Sequence, residues 1–541
     1  MTGSPLPVVM GIIDDGIAFA HERFRLRSQS AGSPWETRVE YWWKQDGPYL
    51  QGPSQLLTGR ELGKADIDAL FAQCTRAGML DEDDVYRRAG LIDFTRPGHN
   101  TAAWQIAHGT HVMDLACGYD SSLDRRDRPI VCVQLPVRVT ENTSGAGLVP
   151  YAMEAVRYIL RRARDIARAR GYRRLPVVIN FSYGYVGGPH DGSSGFEQKL
   201  DRLIARRHAR GSTLDVIIPA GNSHLSRGHA QVSFESGNTA ELAWRIQPDD
   251  RTTSEVEIWL PFRSSSGGSR LSLTVTPPGG PTSDLIDENS TFRLLLDSAG
   301  KPIGQVLHAT TNGRSSFLIQ ALPTYDLDPA ALTAPAGLWK IELTKTNPIG
   351  PSPVHVWIRR DESLYGYPRR GRQSYFEDPL YERYDHAGRP IEKDNAQSLV
   401  RRASLLNALA TGRETIVVGG FVRSTRVLAR YSAGGPITTP PGAAQPHRHG
   451  PDALAACEDS PAHGGVLAAG SRSGSVVAMN GTSVAAPQLA RWIADERAKG
   501  ITTRGRDLVK SRATPPPSDP ERGGSGRIET PPLDRHPRLS S

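Results

Sequence analysis

The chain has 541 residues, more than one ordinary hydrophobic core can use, so one large domain carrying an insertion is expected. Hydrophobic residues make up 38% and charged residues 23%, the balance of a soluble globular protein, and no apolar run of about 18 residues occurs that could span a bilayer. The net charge of +8 comes from Arg dispersed along helical stretches and the C-terminal stretch, without a nucleic-acid-binding motif, so neither nucleic acid nor membrane is an expected partner.

The first element is the apolar run Leu6 to Ile13, short and bounded by Pro and Gly, as for a strand buried on both faces of a parallel sheet. It follows a leading segment with no basic region and no small-residue cleavage site, so it reads as a core strand rather than a signal peptide. The four cysteines, Cys74, Cys117, Cys132 and Cys457, have no CxxC pair and no regular spacing, and two lie in apolar settings. Buried free thiols and a cytoplasmic location are the expectation.

Residues 27 to 95 read as an embellishment of the domain with no assigned role. Further β-branched runs follow at Ile130 to Leu135, Val177 to Phe181, Leu214 to Ile218 and Thr415 to Val418, each bounded by Gly, Pro or polar turns. Between the first two lies the clearest helix, Tyr151 to Arg170, with Met153, Val156, Ile159, Leu160, Ala163 and Ile166 at spacings of three and four. Its Arg run reads as a solvated face. This alternation of strand and helix predicts an α/β domain with a mainly parallel sheet and helices on both faces.

From about Ser254 to Arg360 the pattern changes to period two, as in Val256-Glu257-Ile258-Trp259-Leu260, Leu271-Ser272-Leu273-Thr274-Val275 and Val354-His355-Val356-Trp357-Ile358. Turns such as Pro277-Pro278-Gly279-Gly280 separate these runs, so an inserted antiparallel β domain is predicted. A helix is expected at Ser398 to Ala410, before the α/β pattern resumes. The division is therefore 1 to 235 and 366 to 504 for the α/β domain and 236 to 365 for the insert. Residues 505 to 541, rich in Pro, Arg, Ser and Gly and poor in apolar residues, are expected to be a disordered tail.

Three short segments carry residue types suited to acyl transfer. Asp14 ends the first strand and is followed by Asp15-Gly16; an acid there can orient an imidazole, and Asp15 reads as a turn residue. His108 precedes Gly109 at a helix start, where its ring can swing free as a general base; His111 reads as locally packed, since no third metal ligand accompanies the pair. Ser483 opens a helix in Asn480-Gly481-Thr482-Ser483-Val484-Ala485-Ala486-Pro487, beside free backbone N–H groups and the positive end of the helix dipole. Taken singly, each also fits an ordinary turn or cap.

Together, and in this order along the chain, these segments resemble the Asp, His and Ser signatures of the subtilisin-like serine peptidases, with Gly-Thr-Ser-x-Ala-Ala-Pro intact from Gly481 to Pro487. Pro219-Ala220-Gly221-Asn222 is similar to the family's loop whose Asn donates to the oxyanion, and Ser182-Tyr183-Gly184 to the edge that pairs with an extended substrate. The resemblance covers roughly residues 6 to 232 and 398 to 500. It implies a serine endopeptidase acting on proteins or peptides, with Asp14, His108 and Ser483 catalytic, Asn222 as oxyanion donor, and Ser182, Tyr183, Gly184, Ala220 and Gly221 binding substrate. No cofactor is required. Many members carry structural calcium, but no carboxylate spacing here assigns a site.

Two departures stand out. Asp14 and His108 are 94 residues apart, longer than usual in the family, and the first strand leaves no room for the inhibitory pro-domain of secreted members. The rival reading is an inactive scaffold that binds peptides without cutting them; an accessory binding role for the insert is a third.

Overall fold

The computed structural model describes residues 5–28, 33–46, 56, 58–95, 100–235, 237–263, 268–364, 367–439, 446–514 and 519–533. Its centre is an eight-stranded sheet of β1 (Val9–Asp14), β2 (Val39–Lys44), β3 (Arg60–Gly63), β4 (Ile130–Gln134), β5 (Val177–Phe181), β6 (Leu214–Pro219), β7 (Ile416–Val422) and β8 (Ala453–Glu458), in the spatial order β8-β7-β6-β5-β1-β4-β2-β3. All neighbours are parallel except the edge pair β2–β3.

Every residue of β1 is buried because both faces are covered. Met10 and Ile12 enter one core, with α3 (His108–Cys117) and α6 (Thr482–Ala498); Val9 and Ile13 enter the other, with α4 (Leu148–Ala169) and α5 (Gly195–His208). The predicted helix at Tyr151 to Arg170 is α4, and its apolar stripe packs Val156, Ile159 and Ala163 against the sheet. Full burial of Val156 or Ile159 contributes about 1.5–3 kcal/mol each. Gly11 lets α4 approach, since a Cβ there would stand 2.9 Å from the Ile159 side chain.

The described residues between 27 and 95 extend the domain. β2 and β3 widen the sheet, and α1 (Lys64–Cys74) and α2 (Glu82–Ala89) pack Ile67, Phe71, Val85 and Tyr86 into the α3 side of the core. The four cysteines are free and buried, as expected. No helix among the described residues is long and apolar enough to cross a membrane.

The insert is an antiparallel sandwich of a seven-stranded and a five-stranded sheet around Val256, Ile258, Leu273, Ile341 and the tilted pair Trp244 and Trp339. The three predicted period-two runs are strands Ser254–Trp259, Leu271–Thr276 and Val354–Ile358. The sandwich reaches beyond the expected 236 to 365: His229–Val232 and Val400–Arg401 are strands of its larger sheet, and Tyr375–Glu377 is an edge of the smaller. Strands of two to four residues carry too few alternations to be read from sequence.

The insert is docked firmly. Trp357 stacks on His190 of the α/β domain at 4.2 Å and donates Nε1–H to Ser404 O, while the buried Arg314 reaches Pro189 O and Asp191.

Two expectations fail. Ser398 to Ala410 forms no helix: Arg402 donates to Lys393 O and Glu382 O, and the Asn407 side chain to Tyr183 O and Pro219 O, so tertiary hydrogen bonds override local propensity. The expected tail carries α7 (Gly505–Arg512), with Leu508 and Val509 buried, and a helical turn at Pro520–Gly523. Arg522 donates to Ser432 O, Ala429 O and Arg430 O, and Ile528 lies in the core. Polar clamps replace the apolar burial whose scarcity suggested disorder. Residues 515–518 and 534–541 of that stretch lie outside the described residues.

Candidate active site

The carboxyl ends of β1, β5 and β6 open onto one cleft, where an α/β sheet presents its loops. Asp14 is the last residue of β1 and fully buried. His108 opens α3, its side chain about a quarter exposed (23%), and its Nδ1 lies 2.8 Å from Asp14 Oδ1. Glycine at 109 is a steric requirement of this approach: a Cβ there would sit 1.9 Å from Asp15 O.

Ser483 is the second residue of α6, half-buried, at the end where backbone N–H groups lack helical partners. Gly481 before it takes φ 123°, a conformation that favours glycine. Pro487 has no N–H to bond the carbonyl four residues back, that of Ser483, and Ser182 Oγ donates to that oxygen at 2.9 Å. Asn180 Nδ2 donates in turn to Ser182 Oγ at 2.9 Å, so the end of β5 supports the Ser483 turn.

The Asn222 carboxamide is held by its oxygen, which accepts from Thr482 N and Thr482 Oγ1, both at 2.9 Å. Its Nδ2 therefore faces the cleft beside Ser483: a Cβ placed on Gly481 would stand 2.9 Å from Asn222 Nδ2 and 3.3 Å from Ser483 Oγ. His108, Ser483 and Asn222 line a cleft of about 420 Å3, together with Ser182, Tyr183, Gly184 and Gly221. Ala220 stands behind this wall, buried, with its N–H bonded to Val418 O and its carbonyl to Asn407 N.

Burial opposes protonation of His108, but the Asp14 carboxylate and its hydrogen bond, helped by Asp15, raise the imidazole above its usual value. Asp15 lies in the bend after β1, as its sequence suggests, and is buried there. Its carboxyl is 1% exposed and accepts from Thr101 Oγ1 at 3.3 Å and from the Tyr367 hydroxyl. Burial, and then the neighbouring Asp14 charge, push it up to about 7. Asp14, Asp15 and His108 form the one cluster among the described residues with metal-ligand spacing. Asp14 Oδ1 is engaged by His108 Nδ1 and Asp15 Oδ2 by the Tyr367 hydroxyl, while Asp14 Oδ2 and Asp15 Oδ1 are buried without a hydrogen-bond partner. His111 is buried, and its Nε2 lies 2.9 Å from Val466 O, a partner 355 residues away rather than a local one.

Sequence reasoning missed the cleft residues of the insert and of the chain just after it: Arg360, Leu364, Tyr367, Leu405 and Asn407. They lie outside any catalytic motif, and no local pattern marks them.

No protein-family model and no curated protein matches the chain. Among solved structures, the CspB protease of Clostridium perfringens superimposes with a TM-score of 0.64 at 18% identity, over 96% of this chain and 91% of that one. A cold-adapted subtilisin-like serine proteinase aligns at TM-score 0.34 and 12% identity, covering 98% and 90%, and the epidermin leader peptide processing protease of Staphylococcus aureus at 0.34 and 13%, covering 97% and 75%. The fold assignment rests on the first of these together with the parallel sheet and its insert. The chain has the fold of the subtilisin-like serine proteases.

Proposed function

We propose that the protein is a serine endopeptidase that hydrolyses peptide bonds of protein or peptide substrates through an acyl-enzyme. The observation that carries this reading is the His108–Asp14 contact of 2.8 Å in the same cleft as the Ser483 hydroxyl and a cleft-facing Asn222 amide. Ser483 Oγ attacks the scissile carbonyl carbon while His108 takes the hydroxyl proton through Nε2. Asp14 holds the Nδ1–H tautomer and stabilises the imidazolium. The oxyanion receives hydrogen bonds from Asn222 Nδ2 and the Ser483 backbone N–H. His108 then protonates the leaving amine, and a water molecule, deprotonated by the same imidazole, releases the acyl group.

Thr482 gives Asn222 its function. By bonding Oδ1 twice it prevents the carboxamide from flipping and presenting an acceptor to the oxyanion. Removing such a donor costs about 2.7–4 kcal/mol of transition-state stabilisation, a figure measured on a subtilisin, which shares this fold.

The test is labelling with a fluorophosphonate at about pH 8, above the usual imidazole range. Wild-type protein should be labelled at Ser483 and should cleave an unfolded protein substrate, and Ser483→Ala should do neither while melting at the same temperature. An unlabelled wild-type protein, beside a labelled control protease, would leave the inactive peptide-binding scaffold as the function.

A further inference from the structure

Between strands Val354–Ile358 and Tyr375–Glu377 a loop of the insert supplies Arg360, Leu364 and Tyr367 to the cleft. The loop is tied at its base. The buried Asp361 carboxylate accepts from Ser374 N at 2.9 Å and Ser374 Oγ at 2.6 Å, and Gly371 packs so closely that a Cβ there would stand 1.8 Å from Asp361 O. Ser363 Oγ accepts from the backbone N–H groups of Arg370 and Gly371 at 2.7 and 2.9 Å. On the α/β side, Thr143 Oγ1 donates to Glu362 O at 2.9 Å. These bonds fix the loop to both domains.

From it, the Tyr367 ring enters the cleft that His108 and Ser483 line. Its hydroxyl bonds the Asp15 carboxyl and lies 2.5 Å from Thr140 Oγ1. The Tyr183 ring stands edge-on to His108, with centroids 6.2 Å apart. Tyr367 is therefore held beside the imidazole. Were it to swing out, the buried Asp15 carboxyl would lose a hydrogen-bond donor.

We propose that Tyr367 is a specificity-determining residue supplied by the insert: it fills the subsite beside His108 and restricts the peptide residue there to Gly, Ala or Ser. The proposal rests on the reading of this cleft as a peptide-binding site. An extended chain turns successive side chains to opposite faces. A residue whose side chain enters the pocket between Ser182–Gly184 and Gly221–Asn222 has its predecessor directed the other way, toward His108, Tyr183 and Tyr367. The phenol stands in the space that a Leu or Phe at that predecessor needs. Tyr367 is held by its own hydrogen bonds above this tied base, so the restriction is steric rather than a gate.

Peptide binding measures this without requiring turnover or a known register. Two fluorescent hexapeptides flanked by Lys are compared, one with Leu at every position and one alternating Leu and Ala, so that only the second can place a small side chain against Tyr367 in some register. Binding is read by anisotropy on Ser483→Ala, on Ser483→Ala with Tyr367→Ala, and on Ser483→Ala with Tyr367→Phe, each shown folded by its melting curve. The Ser483→Ala protein should bind the alternating peptide at least tenfold more tightly than the all-Leu peptide. Tyr367→Ala should reduce that ratio below about threefold, and Tyr367→Phe, which keeps the bulk and loses the hydroxyl, should retain it. An unchanged ratio in the Tyr367→Ala protein, or no preference before that substitution, overturns the proposal. Fluorophosphonate labelling of the wild type, run alongside, separates this from the endopeptidase reading: an unlabelled protein with the predicted ratios keeps the subsite and loses the enzyme.

Discussion

Asp15→Asn replaces a buried carboxyl with a neutral side chain of the same shape, and the structure sets the sign and size of the effect. One nitrogen of His108 and one carboxyl oxygen of Asp15 lie within 4.8 Å of each other. A full negative charge at that distance favours the imidazolium by about 3.5 kcal/mol at an effective dielectric of 20 and about 0.9 kcal/mol at 80. These correspond to about 2.5 and 0.6 pH units. His108 is partly open to the cleft, and Asp15 holds its own proton up to about pH 7, so only part of this interaction is present where the imidazole titrates. In the proposed enzyme the base works neutral. Removing the negative charge makes the imidazolium less stable, and the acidic limb of kcat/KM should move to lower pH by about half a unit to one unit. The limb should also become a single titration, because the two groups no longer exchange influence. A pH–rate profile from 5 to 9 on a peptide substrate reads both features. A limb that stays in place, or moves upward, would refute the placement of Asp15 as a charge acting on His108.

Three other outcomes follow from the same geometry. Asn222→Ala should lower kcat about a hundredfold or more with little change in KM, and should cost about 1 kcal/mol of stability because Thr482 N loses its acceptor; an effect confined to KM would remove Asn222 from the oxyanion site. Arg497, 1% exposed, binds both oxygens of Asp215 at 2.7 Å and the carbonyls of Ile501 and Thr503, so Arg497→Ala should destabilise the α/β domain by about 3–5 kcal/mol, read as a lowered melting temperature. The native thiols should resist a water-soluble disulfide reagent at pH 8 and react on unfolding, since burial pushes Cys74 up to about 11 and Cys117 and Cys457 up to about 12; rapid reaction of native protein would contradict this.

The sequence by itself determined the parallel core and pointed to residues that the fold brings to one cleft. β1, β4, β5, β6 and β7 are buried on both faces and so appear as mainly apolar runs, interrupted inside by Asn180 and Asp215, and α4 has a stripe too regular to be mistaken. The segments at Asp14, His108, Asn222 and Ser483 could be found because their constraints are local: a Gly where Asp15 O leaves no room for a Cβ, a Gly at positive φ, a Pro whose missing N–H frees a carbonyl. Only the tertiary structure decided the rest. Val400–Arg401 is a strand, and Ser398 to Ala410 is not a helix, because partners far along the chain supply the hydrogen bonds. The C-terminal stretch is held by the polar clamps of Arg522, which leave no apolar period to read. Asp15 reads as a turn residue because the group that engages it, Tyr367, is 352 residues away. A sequence pattern records which face a residue turns to its own neighbours; it carries no record of which distant side chain will arrive against that face.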